Sequence, residues 1–205
     1  MARARRSSPV STVAARFDVI AIGASWGGVD ALGKIVHQLP EALSVAMVIV
    51  QHQHAYSSNA LQRILSRRTG LPVFDVDDKE EIRPGGIYIA PANYHLLIEN
   101  DGSFSLSLEA PVNFSRPSID VTFNSLAERY QRRCIGVLLT GANDDGVDGL
   151  RAIRKHGGVT IAQDPATAEV PVMPEAAINA GVVDHVIGLT EMVPFLMQLL
   201  RDGKA

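Results

Sequence analysis

Three short segments carry side chains suited to acyl transfer. The first is Gly23-Ala24-Ser25-Trp26-Gly27-Gly28, a G-x-S-x-G pattern between an apolar run and a helical pattern. A serine on a sharp strand-to-helix turn projects its hydroxyl above a sheet. The flanking glycines permit the tight backbone, and helix N–H groups just beyond can bind a developing oxyanion. The second, Val50-Gln51-His52-Gln53-His54, ends another apolar run and offers a general base. His52 lies nearer the strand end, and His54 ranks second. The third, Thr140-Gly141-Ala142-Asn143-Asp144-Asp145-Gly146, again follows an apolar run. It offers a carboxylate to fix the histidine tautomer and stabilise the imidazolium. Asp144, Asp145 and Asp148 all qualify by location, and the order Ser25, His52, Asp145 gives a triad.

Each segment also has a plainer reading. Aspartates before a helix commonly cap it. The three acids could bind a hard cation, but they lack the ligand spacing of a known calcium loop, so no metal is expected. A glycine-rich turn after a first strand can cradle phosphate. A dinucleotide fold, however, wants glycine where Ser25 stands and an acid at the end of the second strand, where Gln51-His52 stand. An ordinary α/β-hydrolase places its acid before its histidine and several strands before its elbow, and this chain does neither.

The elements needed to position these groups can be read from the hydrophobic pattern. Buried strands are expected at Phe17–Gly23, Val45–Val50, Val73–Val76, Ile87–Ala90, Cys134–Thr140, Val159–Gln163 and Val183–Ile187. Helical spacing covers Gly27–Leu39, Ser57–Arg68, Ser118–Gln131, Gly146–His156, Met173–Ala180 and Thr190–Arg201. Tyr94–Glu99 and Phe104–Glu109 flank Asn100-Asp101-Gly102-Ser103, a β-hairpin signal. Strands alternating with helices predict a three-layer, doubly wound α/β fold. Its sheet is mostly parallel, with helices on both faces and one hairpin that a mixed sheet could absorb. Functional groups then gather beyond the carboxyl ends of the strands, where Ser25, His52 and Asp145 all fall.

Bulk properties fit one domain. The 205 residues are 46% apolar and 20% charged, with net charge −3, which does not suggest a nucleic-acid binder. No apolar run approaches the ~20 residues of a membrane span. Residues 1–16 carry Arg3, Arg5, Arg6 and Arg16 without a long apolar stretch. They read as a disordered basic tail rather than a secretory leader, leaving 17–205 as the catalytic domain. Cys134 is the single cysteine, so no internal disulfide is possible and a cytoplasmic setting is expected. Its apolar surroundings mark it as a core residue.

Taken together, these segments resemble the catalytic domain of the chemotaxis receptor methylesterases, the CheB type. The likeness runs from about Phe17 to the last helix. It is carried by Ile22-Gly23-Ala24-Ser25 with Gly27-Gly28, Val50-Gln51-His52, Ile89-Ala90-Pro91, Arg116-Pro117-Ser118-Ile119-Asp120-Val121, Leu139-Thr140-Gly141 with Asp145-Gly146, and Met173-Pro174 with Ala177-Ile178. The resemblance implies hydrolysis of glutamate γ-methyl esters on methyl-accepting chemotaxis receptors, releasing methanol, with deamidation of receptor glutamines as a companion activity. It implies Ser25, His52 and Asp145 as the triad, an oxyanion hole built from the backbone N–H groups of Trp26 and Ala142, and no metal or organic cofactor.

The chain departs from the family pattern in places. Trp26 stands where a small residue or threonine is usual, Ala142 where methionine is common, and Asn143 where glycine is frequent. Many members carry a phosphorylatable receiver domain first. The 16 residues before Phe17 are too few for one, so regulation is expected from a separate protein or not at all. Arg116 is read either as a contact to an acidic receptor surface or as an anchor for the following helix. Met173 and Pro174 either line a substrate groove or pack the core and start a helix.

Overall fold

The computed structural model describes residues 17–54 and 60–203. The basic tail expected at 1–16 and the start of the helix expected at Ser57–Arg68 lie outside the described residues. The first half of the chain runs β1 (Val19–Ala24), α1 (Gly28–Gln38), β2 (Ala46–Gln51), α2 (Ala60–Ser66), β3 (Val73–Asp75), β4 (Ile87–Ile89), β5 (His95–Ile98) and β6 (Phe104–Ser107). The second half runs α3 (Ile119–Tyr130), β7 (Cys134–Leu138), α4 (Val147–Lys155), β8 (Val159–Gln163), α5 (Val172–Asn179), β9 (His185–Ile187) and α6 (Met192–Asp202).

Seven strands form one sheet in the order β3-β4-β2-β1-β7-β8-β9, and every pairing in it is parallel. The hairpin β5-β6 forms a separate antiparallel sheet. It does not join the main sheet, which is therefore not mixed. The physical reason lies in its apolar face: Leu96, Ile98 and Phe104 point into the core beside Phe123 and Leu126 of α3.

Both faces of the parallel sheet are covered, which explains why its strands read as unbroken apolar runs. Alternate residues of β1 serve opposite layers. Ile20 and Ile22 belong to the layer that holds Leu32 and Ile35 of α1, Leu61 and Leu65 of α2, and Leu196 of α6. Val19 and Ala21 face the layer of α3, α4 and α5, with Phe123, Leu150 and Ala177. Cys134 is fully buried in this second layer, where burial pushes its thiol pKa well above the ordinary value.

The strand order positions the chemistry. From β1 the chain moves outward through β2 on one side and later returns to lay β7 on the other. β1 is thus flanked by β2 and β7, and their carboxyl ends open onto one crevice at the point where the winding reverses. Ser25 follows β1, His52 follows β2, and Asp145 lies between β7 and α4.

Candidate active site

Ser25 is held by its own backbone before its hydroxyl does anything. Its N–H donates to Thr140 O at 3.0 Å, and its carbonyl accepts from Gly28 N at 2.9 Å. Gln51 adds a third tie, its Nε2 donating to Ser25 O at 2.8 Å and to His52 O at 3.0 Å. The turn closes at Gly27, whose φ of 77° is left-handed; a Cβ there would also lie 2.7 Å from Glu169 Cβ. The serine is thus fixed to β2 and to the loop after β7.

His52 bridges the other two groups. Its Nδ1 lies 3.1 Å from Ser25 Oγ, and its Nε2 lies 2.7 Å from Asp145 Oδ2. An ionised Asp145 only accepts hydrogen bonds, so Nε2 carries the proton toward it and Nδ1 is left to accept from the serine hydroxyl. The two imidazole nitrogens are exchanged relative to the serine-protease template, where Nε2 meets the serine and Nδ1 the aspartate. Ser115 Oγ lies 3.4 Å from the same Nδ1.

Asp145 has no solvent exposure and is surrounded by donors. Oδ2 accepts from His52 Nε2 and from Ile119 N, both at 2.7 Å. Oδ1 accepts from Ser118 Oγ at 2.9 Å, Asp120 N at 3.1 Å and Asn113 Nδ2 at 3.3 Å. The carboxylate therefore sits on the amino terminus of α3, where free N–H groups and the helix dipole favour an anion. Burial pushes its pKa up. The hydrogen bond from His52 and those from the Ile119 and Asp120 N–H groups outweigh burial, and the pKa stays below the ordinary aspartate value.

The competing residues are placed elsewhere. Asp144 is exposed, and its carbonyl accepts from Val147 N at the start of α4. Asp148 is exposed and pairs with Arg151. His54 is exposed and lines an open cavity of about 460 Å³ with His52, Ser115, Val29, Ile64 and Phe114. No described residue links it to Ser25 or Asp145. Trp26 stands 68% exposed beside Ser25, while its carbonyl accepts from Thr140 Oγ1 at 2.9 Å. Among the described residues, the N–H groups of Trp26 and Ala142 donate to no other group.

The two tentative substrate contacts are placed in structural roles. Arg116 spends its guanidinium on the chain itself: Nη1 donates to Leu108 O and Glu109 O, both at 2.9 Å, and Nη2 to Asn93 Oδ1 at 2.7 Å. It anchors the segment leading into α3 and has little left for an acidic partner. Met173 is fully buried. Its N–H donates to Gly141 O at 3.0 Å, and its Cε occupies the space a Cβ on Gly141 would need, 2.6 Å away. It braces the loop after β7 from behind.

Several residues that shape the site had no role assigned from sequence: Asn113, Ser115, Ser118, Asp120, Thr140 and Gln51. Ser118 carried a local signal, as a serine opening a helical pattern. The others act across the fold.

Comparison with known proteins decides the lineage. The model of the CheB methylesterase family matches residues 20–196. The chain belongs to the CheB methylesterase family, a family of hydrolases. A Leptospira interrogans protein provisionally named protein-glutamate methylesterase/protein-glutamine glutaminase is 45% identical over 187 residues, covering 91% of this chain and 97% of that protein. A Maricaulis maris protein-glutamate methylesterase/protein-glutamine glutaminase is 36% identical over 201 residues; this chain spans 50% of its length. The crystal structure of the Thermotoga maritima CheB methylesterase catalytic domain superposes with a TM-score of 0.86 at 33% identity. It covers 89% of this chain and 98% of that one. Among the described residues, no helix is long and apolar enough to cross a membrane.

Proposed function

We propose that this CheB-family chain is a protein-glutamate methylesterase of cytoplasmic chemotaxis signalling. It hydrolyses glutamate γ-methyl esters on methyl-accepting chemotaxis receptors to glutamate and methanol, and it deamidates receptor glutamines as a companion reaction. The observation that carries this reading is the hydrogen-bonded relay from Ser25 Oγ through His52 to the buried Asp145, inside a fold shared with a methylesterase domain.

The geometry supports a two-step acyl transfer. His52 Nδ1 takes the Ser25 proton as Oγ attacks the ester carbonyl, and Asp145 holds and stabilises the resulting imidazolium. The free N–H groups of Trp26 and Ala142 bind the oxyanion, each such donor being worth about 3 kcal/mol in related chemistry. These donors are backbone groups, so the unusual side chains at 26 and 142 do not remove them. His52 then protonates the departing methoxide, and water hydrolyses the acyl-enzyme by the same route.

The test is methanol release from membranes bearing methyl-labelled chemoreceptors, with Ser25→Ala alongside. Release by the native protein and none by the variant is expected. A second reading rests on one specific observation, the exposed Trp26 beside the nucleophile. It makes the protein a serine esterase or amidase of the same fold with another substrate. No release from receptors, together with Ser25-dependent labelling by a fluorophosphonate, would favour it.

A further inference from the structure

The site contains a second buried carboxylate that the mechanism above does not use. Asp120 lies in the first turn of α3 and is 6% exposed. Its Oδ1 accepts from Gly146 N at 2.9 Å and Gly149 N at 2.7 Å, two N–H groups at the start of α4. Asp145 does the converse, accepting from Ile119 N and Asp120 N at the start of α3. The two neighbouring helices thus exchange carboxylates, each acid capping the other's amino terminus. Asn113 closes the exchange: its Nδ2 donates to Asp120 Oδ2 at 2.9 Å and to Asp145 Oδ1 at 3.3 Å.

We propose that Asp120, bridged through Asn113, is a positioning residue for the triad acid: it locks the Asp145 loop onto α3 and supplies a second negative charge behind the Asp145–His52 pair. This rests on the triad reading above. The lock follows from covalent continuity, because Gly146, which donates to Asp120, directly follows Asp145. A capped α4 start fixes where the Asp145 side chain begins, and the α3 N–H groups fix where it ends.

The charge follows from the surroundings. The titratable and charged groups near Asp120 are Asp145, Asp148 on α4 with its partner Arg151, His52 across Asp145, and His95, which accepts the Ser118 N–H. Burial raises the Asp120 pKa to about 6. The Gly149 N–H opposes this, Asp145 and Asp148 add to it, and the Gly146 N–H opposes it. Asp120 is therefore ionised at neutral and alkaline pH. Two carboxylates sharing one amide donor behind a histidine favour the imidazolium that forms during catalysis.

The experiment measures the second-order rate of inactivation by a small alkyl fluorophosphonate from pH 5 to 9. The proteins are the native chain, Ser25→Ala, Asp120→Asn and Asn113→Ala, each with its thermal midpoint. This readout needs no receptor. Asp120→Asn is expected to lower the rate about ten- to hundred-fold at pH 7.5 and to move the midpoint of the acid limb to lower pH. Asn113→Ala keeps both charges but removes their shared donor, and is expected to move that midpoint to higher pH. A residue that is only a helix cap lowers the thermal midpoint and the amplitude without moving the acid limb. An unmoved limb in Asp120→Asn therefore overturns the inference. If that variant does not fold, an unmoved limb in Asn113→Ala overturns it equally. Absence of Ser25-dependent labelling in the native protein sinks the triad reading and this inference together.

Discussion

Replacing Asp145 by asparagine puts a neutral amide where five donors converge. The amide has one oxygen to offer and two protons of its own. If its oxygen takes the Oδ1 place, it still satisfies Ser118 Oγ, Asp120 N and Asn113 Nδ2. The NH2 then faces Ile119 N–H and His52 Nε2, which Oδ2 had served at 2.7 Å each. One backbone N–H is left opposed by a donor, costing about 1–3 kcal/mol of stability. His52 must turn acceptor at Nε2 and carry its proton on Nδ1, the atom facing Ser25. The base is then already protonated where it should accept. The opposite amide placement is worse, because the NH2 would meet both Asp120 N–H and the Asn113 amide. In serine proteases the wrong tautomer costs about 10⁴ in kcat, or roughly 5 kcal/mol at 1.36 kcal/mol per tenfold. The same order is expected here, measured as methanol release and as fluorophosphonate inactivation of protein shown to be folded by its thermal transition. Asp144→Asn, at an exposed side chain, should stay within about threefold of the native rate. A folded Asp145→Asn protein within tenfold of native activity, or an Asp144→Asn protein that loses it, would refute the reasoning.

Three other outcomes are expected. Gly141→Ala places a Cβ 2.6 Å from Met173 Cε and 2.9 Å from Ser25 Cβ; the methionine tip can yield but the serine Cβ cannot. The variant should lose about 1–3 kcal/mol in a denaturant titration and at least tenfold in kcat, because Ser25 is displaced. Trp26→Ala keeps the backbone N–H, so kcat on a small soluble ester should change less than about threefold. Its KM for the receptor substrate should rise if the exposed ring packs on the protein surrounding the ester, and an unchanged KM on both substrates would remove Trp26 from recognition. Finally, stability should depend on pH in two opposed ways. The raised Asp120 contributes stability that is complete below the unfolded value near ~3.9 and is lost as pH rises through about 6, whereas the depressed Asp145 contributes stability present above ~3.9 and lost as pH falls through its folded value. Asp120→Asn should flatten denaturant stability between pH 4 and 7, and an unaltered slope there would contradict the assignment.

Much of this molecule follows from short-range pattern. β8 runs Val159–Gln163, the span its apolar residues predict, and α3 begins after Ser118 because a serine hydroxyl there accepts the Val121 N–H at 3.4 Å. The G-x-S-x-G turn, the histidine at the end of β2 and the aspartates after β7 are likewise local: each needs only a strand, a turn and a helix start. Apolar periodicity and turn chemistry act over a few residues, so sequence alone determined the alternation of strands and helices and the three loops that carry Ser25, His52 and Asp145, while the strand order came only with the tertiary structure. Tertiary structure alone decided which groups meet. The hairpin reads the same whether it joins the main sheet or stands apart, and the packing of β5 against α3 separates it. Asp144 and Asp145 are equivalent as types. Only the approach of the α3 amino terminus, more than twenty residues earlier in the chain, selects Asp145 by giving a buried carboxylate its donors. Arg116 and Met173 could equally have faced a substrate until distant carbonyls and Gly141 claimed them. The Asp120–Asn113–Asp145 exchange leaves no trace in any local window, because a hydrogen bond between a loop at 113 and a carboxylate at 145 depends on the whole path of α3 and β7 between them.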